Sequence, residues 1–283
     1  MENLAYYNGK FGPVDEMTVP FNDRVHFFGD GIYEATAAHN HVIYALDEHL
    51  DRFFNSAAML DIHLPHTKEE FAAILRDMVS RVDSGDQFVY FQATRGTQDR
   101  GHVYPEDMVA NFWILLRPAK AKDIHMKVKA ITAEDTRFFH CNIKTLNLIP
   151  SVMYAQMAER AGVYETILYR KPDRVTECAH ANVHIINEKG AFQTAPTDNL
   201  ILPGIARAHL IKACKALGYE VDETPFTLEQ LMNAREVIIS SSSAFGLECV
   251  EVDGKPVGGR AQEMLHALQD WVLADFYLET AGK

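Results

Sequence analysis

The chain has 283 residues, 47% hydrophobic and 23% charged, which is long enough for two domains and too ordinary in composition for extended disorder. Its formal net charge of -12 argues against nucleic-acid and anionic-membrane partners, because either repels an acidic surface at long range, so any anionic ligand must meet a local basic pocket. The start MENLAYYNGKFGP lacks a basic segment followed by an apolar run, and no later window approaches a membrane-spanning length, so a soluble, cytoplasmic protein is expected.

Four cysteines, Cys141, Cys178, Cys214 and Cys249, lie far apart without a C-x-x-C pair. Reduced thiols fit this spacing better than a zinc site or a disulfide framework. The 13 histidines include His39, His41, His63 and His66 but no H-E-x-x-H pattern with a third ligand; they read as scattered surface residues, and no metal is expected.

In chain order, GDGIYEATAAHNHVIYAL reads as two strands around the Asn40 turn. LDEHLDRFFNSAAMLDI spaces Leu46, Leu50, Phe53, Phe54, Ala57 and Leu60 as a helix, with Asp47 as its cap. Thr67-Lys68-Glu69-Glu70 is a capping-box pattern opening a second helix. QFVYFQATRG and MVANFWILLRP are strand-like, and Pro118 with AKAKDIH breaks the pattern, so the domain boundary is placed at 118–126, between an N-terminal domain of residues 1–117 and a C-terminal domain of residues 127–283.

Beyond the linker, MKVKAITAED alternates as a strand and SVMYAQMAERAG is a helix closed by Gly162. YETILYRKPDRVTECA forms a hairpin at Lys171-Pro172-Asp173, and ANVHIINEKGAFQTA two strands around Glu188-Lys189-Gly190. IARAHLIKACKALG is a helix ending at Gly218, and EVIISSSS is a strand running into serines. The pattern is a small α/β domain followed by a larger, strand-rich α+β domain.

Lys144, in HCNIKTLNLIP, has small or apolar neighbours on both sides that suggest a partly buried strand end. A lysine withdrawn from water attacks carbonyls, the property of Schiff-base lysines, whereas a strand lysine can equally snorkel to solvent. Glu177 could hold a protonated ring nitrogen or close a turn. Gly204-Ile205-Ala206 opens a helix whose first N–H groups suit phosphate, or is an ordinary helix start. The hydroxyls of Ser240 to Ser243 suit phosphate too, though serine runs also make plain loops. Arg52 lies opposite much of the apolar stripe, where a salt bridge with Glu48 is the default. Arg100 and His102, on a loop after a strand, suit a carboxylate, though an ordinary surface-exposed loop would look the same. No phosphate loop or G-x-G-x-x-G is present; Gly29 and Gly31 lack the spacing.

Taken together, GDGIYE, DEHLDRF, YFQATRGTQDRGHVYP, NIKTLNLIPSV, VTECAHANV, ILPGIAR and the strand into Ser241 and Ser242 resemble the fold-type IV pyridoxal-phosphate (PLP) enzymes, with the nearest likeness to the D-amino acid aminotransferases. That resemblance implies an α+β two-domain fold, a small N-terminal α/β domain beside a larger C-terminal strand-rich pseudo-barrel, in a homodimer. It further implies that Lys144 carries the cofactor as a Schiff base and shuttles the Cα proton, while Glu177 pairs with the pyridine nitrogen. Arg52, the backbone N–H groups of Ile205 and Ala206, and Ser241 with Ser242 hold the phosphate, and Leu202 packs beneath the ring. Arg100, His102 and Tyr33 match the trap for the substrate α-carboxylate, its loop reaching in from the partner subunit. The implied reaction transfers the amino group of a D-amino acid such as D-alanine to a 2-oxo acid such as 2-oxoglutarate or pyruvate.

Two departures from the family pattern stand out. Glu177-Cys178-Ala179-His180-Ala181-Asn182 replaces the usual glycine and serines and sets the His180 imidazole beside the substrate position, and Ala206 replaces a threonine that often touches the phosphate. The rival readings are a branched-chain L-amino acid or (R)-amine aminotransferase or an aminodeoxychorismate lyase on the same fold, and, from another class, a cofactor-free binding protein.

Overall fold

The computed structural model describes residues 1–282, which divide into two compact units. The first holds Met1–Ala121, Ile143–Asn147 and the C-terminal end from Phe276; the second holds Lys122–Asn142 and Leu148–Asp275. This differs from a single crossing with all of 127–283 in one domain. Backbone bonding explains the return at Lys144: Tyr33 N donates to Lys144 O at 3.0 Å and Leu146 N to Gly31 O at 2.9 Å. At the C-terminal end, Phe276 packs edge-on against Tyr44, with ring centroids 5.0 Å apart.

In the first unit, strands β1 (Leu4–Tyr7), β2 (Lys10–Gly12), β3 (Gly31–His39), β4 (Val42–Ile43), β5 (Gln87–Thr94) and β6 (Asn111–Pro118) form one sheet in the order β2-β1-β6-β5-β3-β4. Every pairing in it is antiparallel. Besides the short α1 (Val25–Phe28), helices α2 (Leu46–Met59) and α3 (Lys68–Ser80) join the sheet in one core around Phe53, Phe71, Phe91 and Phe112. Thr67 and Glu70 make the expected capping box. Asp47, by contrast, does not cap α2. The N-cap is Ala45 in a left-handed conformation, its N–H bonded to Glu279 Oε1 at 2.8 Å, and Asp47 sits in the first turn, where its charge suits the helix dipole.

The second unit contains β7 (Lys127–Glu134), β8 (Glu165–Arg170), β9 (Arg174–Cys178), β10 (Asn182–Ile186), β11 (Phe192–Thr194), β12 (Val221–Asp222), β13 (Glu236–Ser240), β14 (Leu247–Val252) and β15 (Lys255–Pro256). They form a mixed sheet in the order β12-β11-β10-β13-β14-β7-β8-β9, with β15 on β14. The sheet curls until Asn182 of β10 bonds Glu177 of the end strand β9 at 3.0 Å, a strand-rich half-barrel where the resemblance implies a pseudo-barrel. Its helices are α4 (Ile149–Ala161), α5 (Ile205–Leu217), α6 (Leu228–Met232) and α7 (Gln262–Glu279), the last reaching the first unit at Phe276. Gly162 and Gly218 close α4 and α5 in the left-handed conformation, as their positions predict.

Candidate active site

In the first unit, β3 organises a buried charged cluster. Glu34 is fully buried; its Oε1 accepts from Arg52 Nε at 2.7 Å, and its Oε2 from Arg52 Nη2 at 2.8 Å and His49 Nδ1 at 2.6 Å. Burial alone would raise the Glu34 pKa, yet Arg52 and His49 outweigh it and hold it at about 2. Burial, with help from Arg52 and Lys144, lowers the His49 pKa against the pull of Glu34. A neutral His49 donates from Nδ1 to the acceptor-only carboxylate, which leaves Nε2 a buried acceptor with no hydrogen-bond partner among the described residues. Arg52 therefore lies on the buried face of α2, paired with Glu34, and not on the opposite face with Glu48 as its main partner. His49 likewise is no surface histidine.

Lys144 belongs to this unit. It lies in a connection, not at a strand end: the local pairing is one isolated bridge between Ile32 and Thr145. Its carbonyl is fixed by Tyr33 N–H, its own N–H donates to Ser56 Oγ at 3.3 Å, and its Nζ stands 4.2 Å from the centre of the Tyr33 ring. Gly31 makes this docking possible, since a Cβ there would meet Ala93 O at 2.5 Å and Leu146 Cδ1 at 2.7 Å. Tyr33 in turn stacks on Tyr90, centroids 5.6 Å apart.

Arg100 and His102 are exposed and share Phe28, whose ring centre is 5.3 Å from the Arg100 guanidinium and 5.1 Å from the His102 ring. Arg24 anchors their loop: Nη1 donates to Gly101 O at 2.6 Å and Nη2 to His102 O at 3.2 Å, while Nε pairs with Asp30 at 2.7 Å. Tyr104 lies over Arg95, which also holds Asp30. The structure thus brings Arg100 and His102 together on Phe28, and Tyr33 together with Lys144 and Tyr90.

In the second unit, Glu177 is buried on β9. Its Oε2 accepts from Asn182 Nδ2 and from Leu202 N, both at 3.0 Å, and its Oε1 from Arg137. Arg137 is held in place by Asp135 through Nε at 3.0 Å and Nη2 at 2.9 Å. Burial, with the nearby Asp135 carboxylate, pushes the Glu177 pKa up against the pull of Arg137. Oε2 is filled by two donors, whereas Oε1 keeps acceptor capacity for one more. Asn182 Nδ2 also donates to Leu202 O at 3.1 Å, and its Oδ1 presses on Gly204, where a Cβ would collide with it. Gly204 is the N-cap of α5 and makes no side-chain cap bond, so the first-turn N–H groups of Ile205 and Ala206 lack a side-chain acceptor from the cap. Leu202 and Ile205 are half-buried and Ala206 is buried.

Ser241 and Ser242 follow β13 in a turn and are half-buried, with Ser241 Oγ 3.4 Å from Ser243 Oγ. His180, at the tip between β9 and β10, places Nδ1 against Oε2 of the fully buried Glu165. Sequence reasoning missed Glu34, His49, Arg137 and Asn182 as residues of these clusters. Glu34 and Asn182 stood inside the motifs GDGIYE and VTECAHANV; nothing in the surroundings of Arg137 marked it. Among the described residues no group of three His, Cys, Asp or Glu side chains is arranged to hold a metal, and no helix is long and apolar enough to cross a membrane.

A family described as amino-transferase class IV matches residues 31–252. D-alanine aminotransferase of Bacillus licheniformis is 33% identical over 95% of this chain and 97% of its own. That of Staphylococcus haemolyticus is 36% identical over 94% and 95%, and that of Listeria monocytogenes (strain 10403S) 37% over 86% and 85%. In fold, the chain is similar to the branched-chain amino acid aminotransferase of Escherichia coli (TM-score 0.90, 22% identity, 100% of this chain and 97% of that one). It is also similar to a second branched-chain amino acid aminotransferase, from T.th., solved with pyridoxamine 5'-phosphate (TM-score 0.88, 24% identity, 96% and 94%).

Proposed function

Because the chain belongs to the amino-transferase class IV family, we propose that it is a PLP-dependent aminotransferase moving the amino group of D-amino acids such as D-alanine to a 2-oxo acid such as 2-oxoglutarate or pyruvate. The observation that carries the D-amino acid reading is the 33–37% identity to D-alanine aminotransferases over most of the chain. The branched-chain enzymes share the fold at only 22–24% identity.

The side chains present fit the cofactor. A primary amine at Lys144 has its backbone fixed on both sides, Glu177 Oε1 can take one more donor, and the first-turn N–H groups of α5 have no side-chain acceptor from the Gly204 cap. When bound, PLP supplies the aldehyde carbon that receives the amino group and a pyridine ring that spreads the electron pair left at Cα.

In this reading Lys144 Nζ would hold the cofactor and take and return the Cα proton. Glu177, braced by Arg137 and Asn182, accepts the ring N–H. Arg52 and the N–H groups of Ile205 and Ala206 bind the phosphate with the hydroxyls of Ser241 and Ser242. Its pairing with Glu34 orients the Arg52 guanidinium, and the backbone N–H of Ala206 serves without the hydroxyl of a threonine. Leu202, tied to Glu177 through its N–H, would pack against the ring. Arg100 and His102, on the Arg24-anchored loop, with Tyr33, bind the α-carboxylate, and His180 borders the substrate.

A homodimer suits the trap, whose loop reaches the neighbouring site. Ile149, Val152 and Met153 on α4 are 72%, 60% and 63% exposed, an apolar face that a second copy would cover. The free thiols of all four cysteines suit the cytoplasm. Parallel assays of D-alanine, L-leucine, (R)-phenylethylamine and aminodeoxychorismate test the function. Turnover of D-alanine is expected; turnover of L-leucine alone overturns the D-amino acid reading.

A further inference from the structure

The face of β10 that carries Asn182 also carries His184, which the preceding roles leave unused. His184 is fully buried, and both ring nitrogens are engaged: Nδ1 is 2.8 Å from Thr194 Oγ1 and Nε2 is 2.8 Å from Ser240 Oγ. Sheet register makes this possible. His184 lies directly opposite Thr194 on β11, and Asn182 opposite Ser240 on β13, so Ser240 is a diagonal neighbour of His184 on the same face. Thr194 Oγ1 also accepts from Arg207 Nε at 3.1 Å, in the first turn of α5, and Arg207 Nη2 is held by Ala195 O at 3.0 Å and Glu223 at 2.7 Å.

A guanidinium can only donate, so Arg207 Nε–H donates to Thr194 Oγ1, and the hydroxyls of Thr194 and Ser240, each with one hydrogen and two lone pairs, can serve either tautomer of the His184 ring. Burial, and then the Arg207 cation, lower the His184 pKa to about 3, so the ring that makes these bonds is a neutral imidazole. Three hydrogen bonds therefore run from the first turn of α5, beside Ile205 and Ala206, to the last residue of β13, directly before Ser241 and Ser242.

We propose that His184 is a positioning residue for the cofactor phosphate, fixing the end of β13 against the first turn of α5 through Ser240, Thr194 and Arg207. This rests on the reading that those two segments hold the phosphate. A histidine that merely filled volume would affect the whole unit, whereas a spacer between two phosphate-binding segments acts on the phosphate alone.

The test reconstitutes the full-length protein with PLP and, separately, with pyridoxal, which lacks the phosphate, and measures each affinity by absorption. His184→Phe, which keeps a ring of similar size but no hydrogen bond, is expected to weaken PLP about tenfold and leave pyridoxal unchanged. His184→Gln, which retains a donor and an acceptor, is expected to recover most of that loss. Thr194→Val breaks the chain at its next joint with little change of shape and is expected to repeat the PLP-selective loss, even if His184→Phe does not fold. Equal loss for both ligands, or no loss, overturns the proposal. Combined Ser241→Ala and Ser242→Ala substitution separates the two ways of failing. If it lowers the preference for PLP over pyridoxal while His184→Phe and Thr194→Val do not, only the His184 role is wrong; if none does, the phosphate assignment itself fails.

Discussion

Arg52 grips Glu34 with two parallel hydrogen bonds, Nε to Oε1 at 2.7 Å and Nη2 to Oε2 at 2.8 Å, in the buried interior of the first unit. Removing one charge of such a pair leaves the other buried without compensation, at a typical cost of about 3–5 kcal/mol. Glu34→Gln is therefore expected to lower the unfolding free energy by that order and to release PLP more readily, through a misoriented Arg52. Urea denaturation and cofactor retention on gel filtration measure the two effects; a stable variant that retains its cofactor contradicts the role given to the pair.

Two buried groups contribute to the loss of stability in acid. The Glu34 carboxyl falls from an ordinary 4.5 to about 2 on folding. A carboxylate depressed in this way contributes stability that is complete above 4.5 and lost as pH falls toward 2. The His184 imidazole falls from 6.5 to about 3. Below 6.5 the unfolded chain takes up a proton that the folded one refuses, so stability declines on acidification here too, from a higher starting point. Each group contributes a slope of at most about 1.4 kcal/mol per pH unit inside its window. Denaturation curves between about pH 7 and about pH 4 should show this decline, and His184→Phe should flatten its upper part. A decline unchanged in that variant contradicts the assignment.

Lys144→Ala is expected to cut turnover by at least about 10³-fold, because covalent attachment of the cofactor and transfer of the Cα proton are lost together. The near-visible band of the lysine-bound cofactor should vanish while the far-ultraviolet dichroism stays unchanged. Retained steady turnover would show that another group moves the proton.

Arg100→Ala removes a donor proposed for the α-carboxylate and touches no group proposed for the cofactor. Hydrogen bonds to charged groups are worth about 1.5–3 kcal/mol, so kcat/KM for D-alanine should fall by roughly 10- to 100-fold, mostly through KM. The absorption spectrum should not change. A loss confined to kcat, or a shifted cofactor band, places Arg100 elsewhere.

Much of the fold was legible because its signals are local. Thr67 and Glu70 declare the start of α3 within four residues, Gly162 and Gly218 stop helices where a left-handed residue is needed, and Asn40 turns β3 into β4. The α2 cap was misread because Ala45 is held by Glu279, far along the chain. The clusters follow the same division. Arg52 could be seen to need a carboxylate, but helical spacing pointed to Glu48, since only the strand–helix packing brings Glu34 into reach. Lys144 looked like a strand residue because its apolar neighbours Ile143 and Leu146 are typical of strands; in fact they dock a short connection onto β3. His49 and His184 are buried for reasons no local pattern carries: each serves a polar partner on another element.

The most direct test of the central claim is a half-reaction scan of the purified holoenzyme with D- and L-enantiomers, without any 2-oxo acid, following the near-visible absorption of the lysine-bound cofactor. D-alanine is expected to bleach this band and release a stoichiometric amount of pyruvate, with L-alanine and L-leucine leaving it intact. Bleaching by L-leucine with none by any D-amino acid would contradict the account.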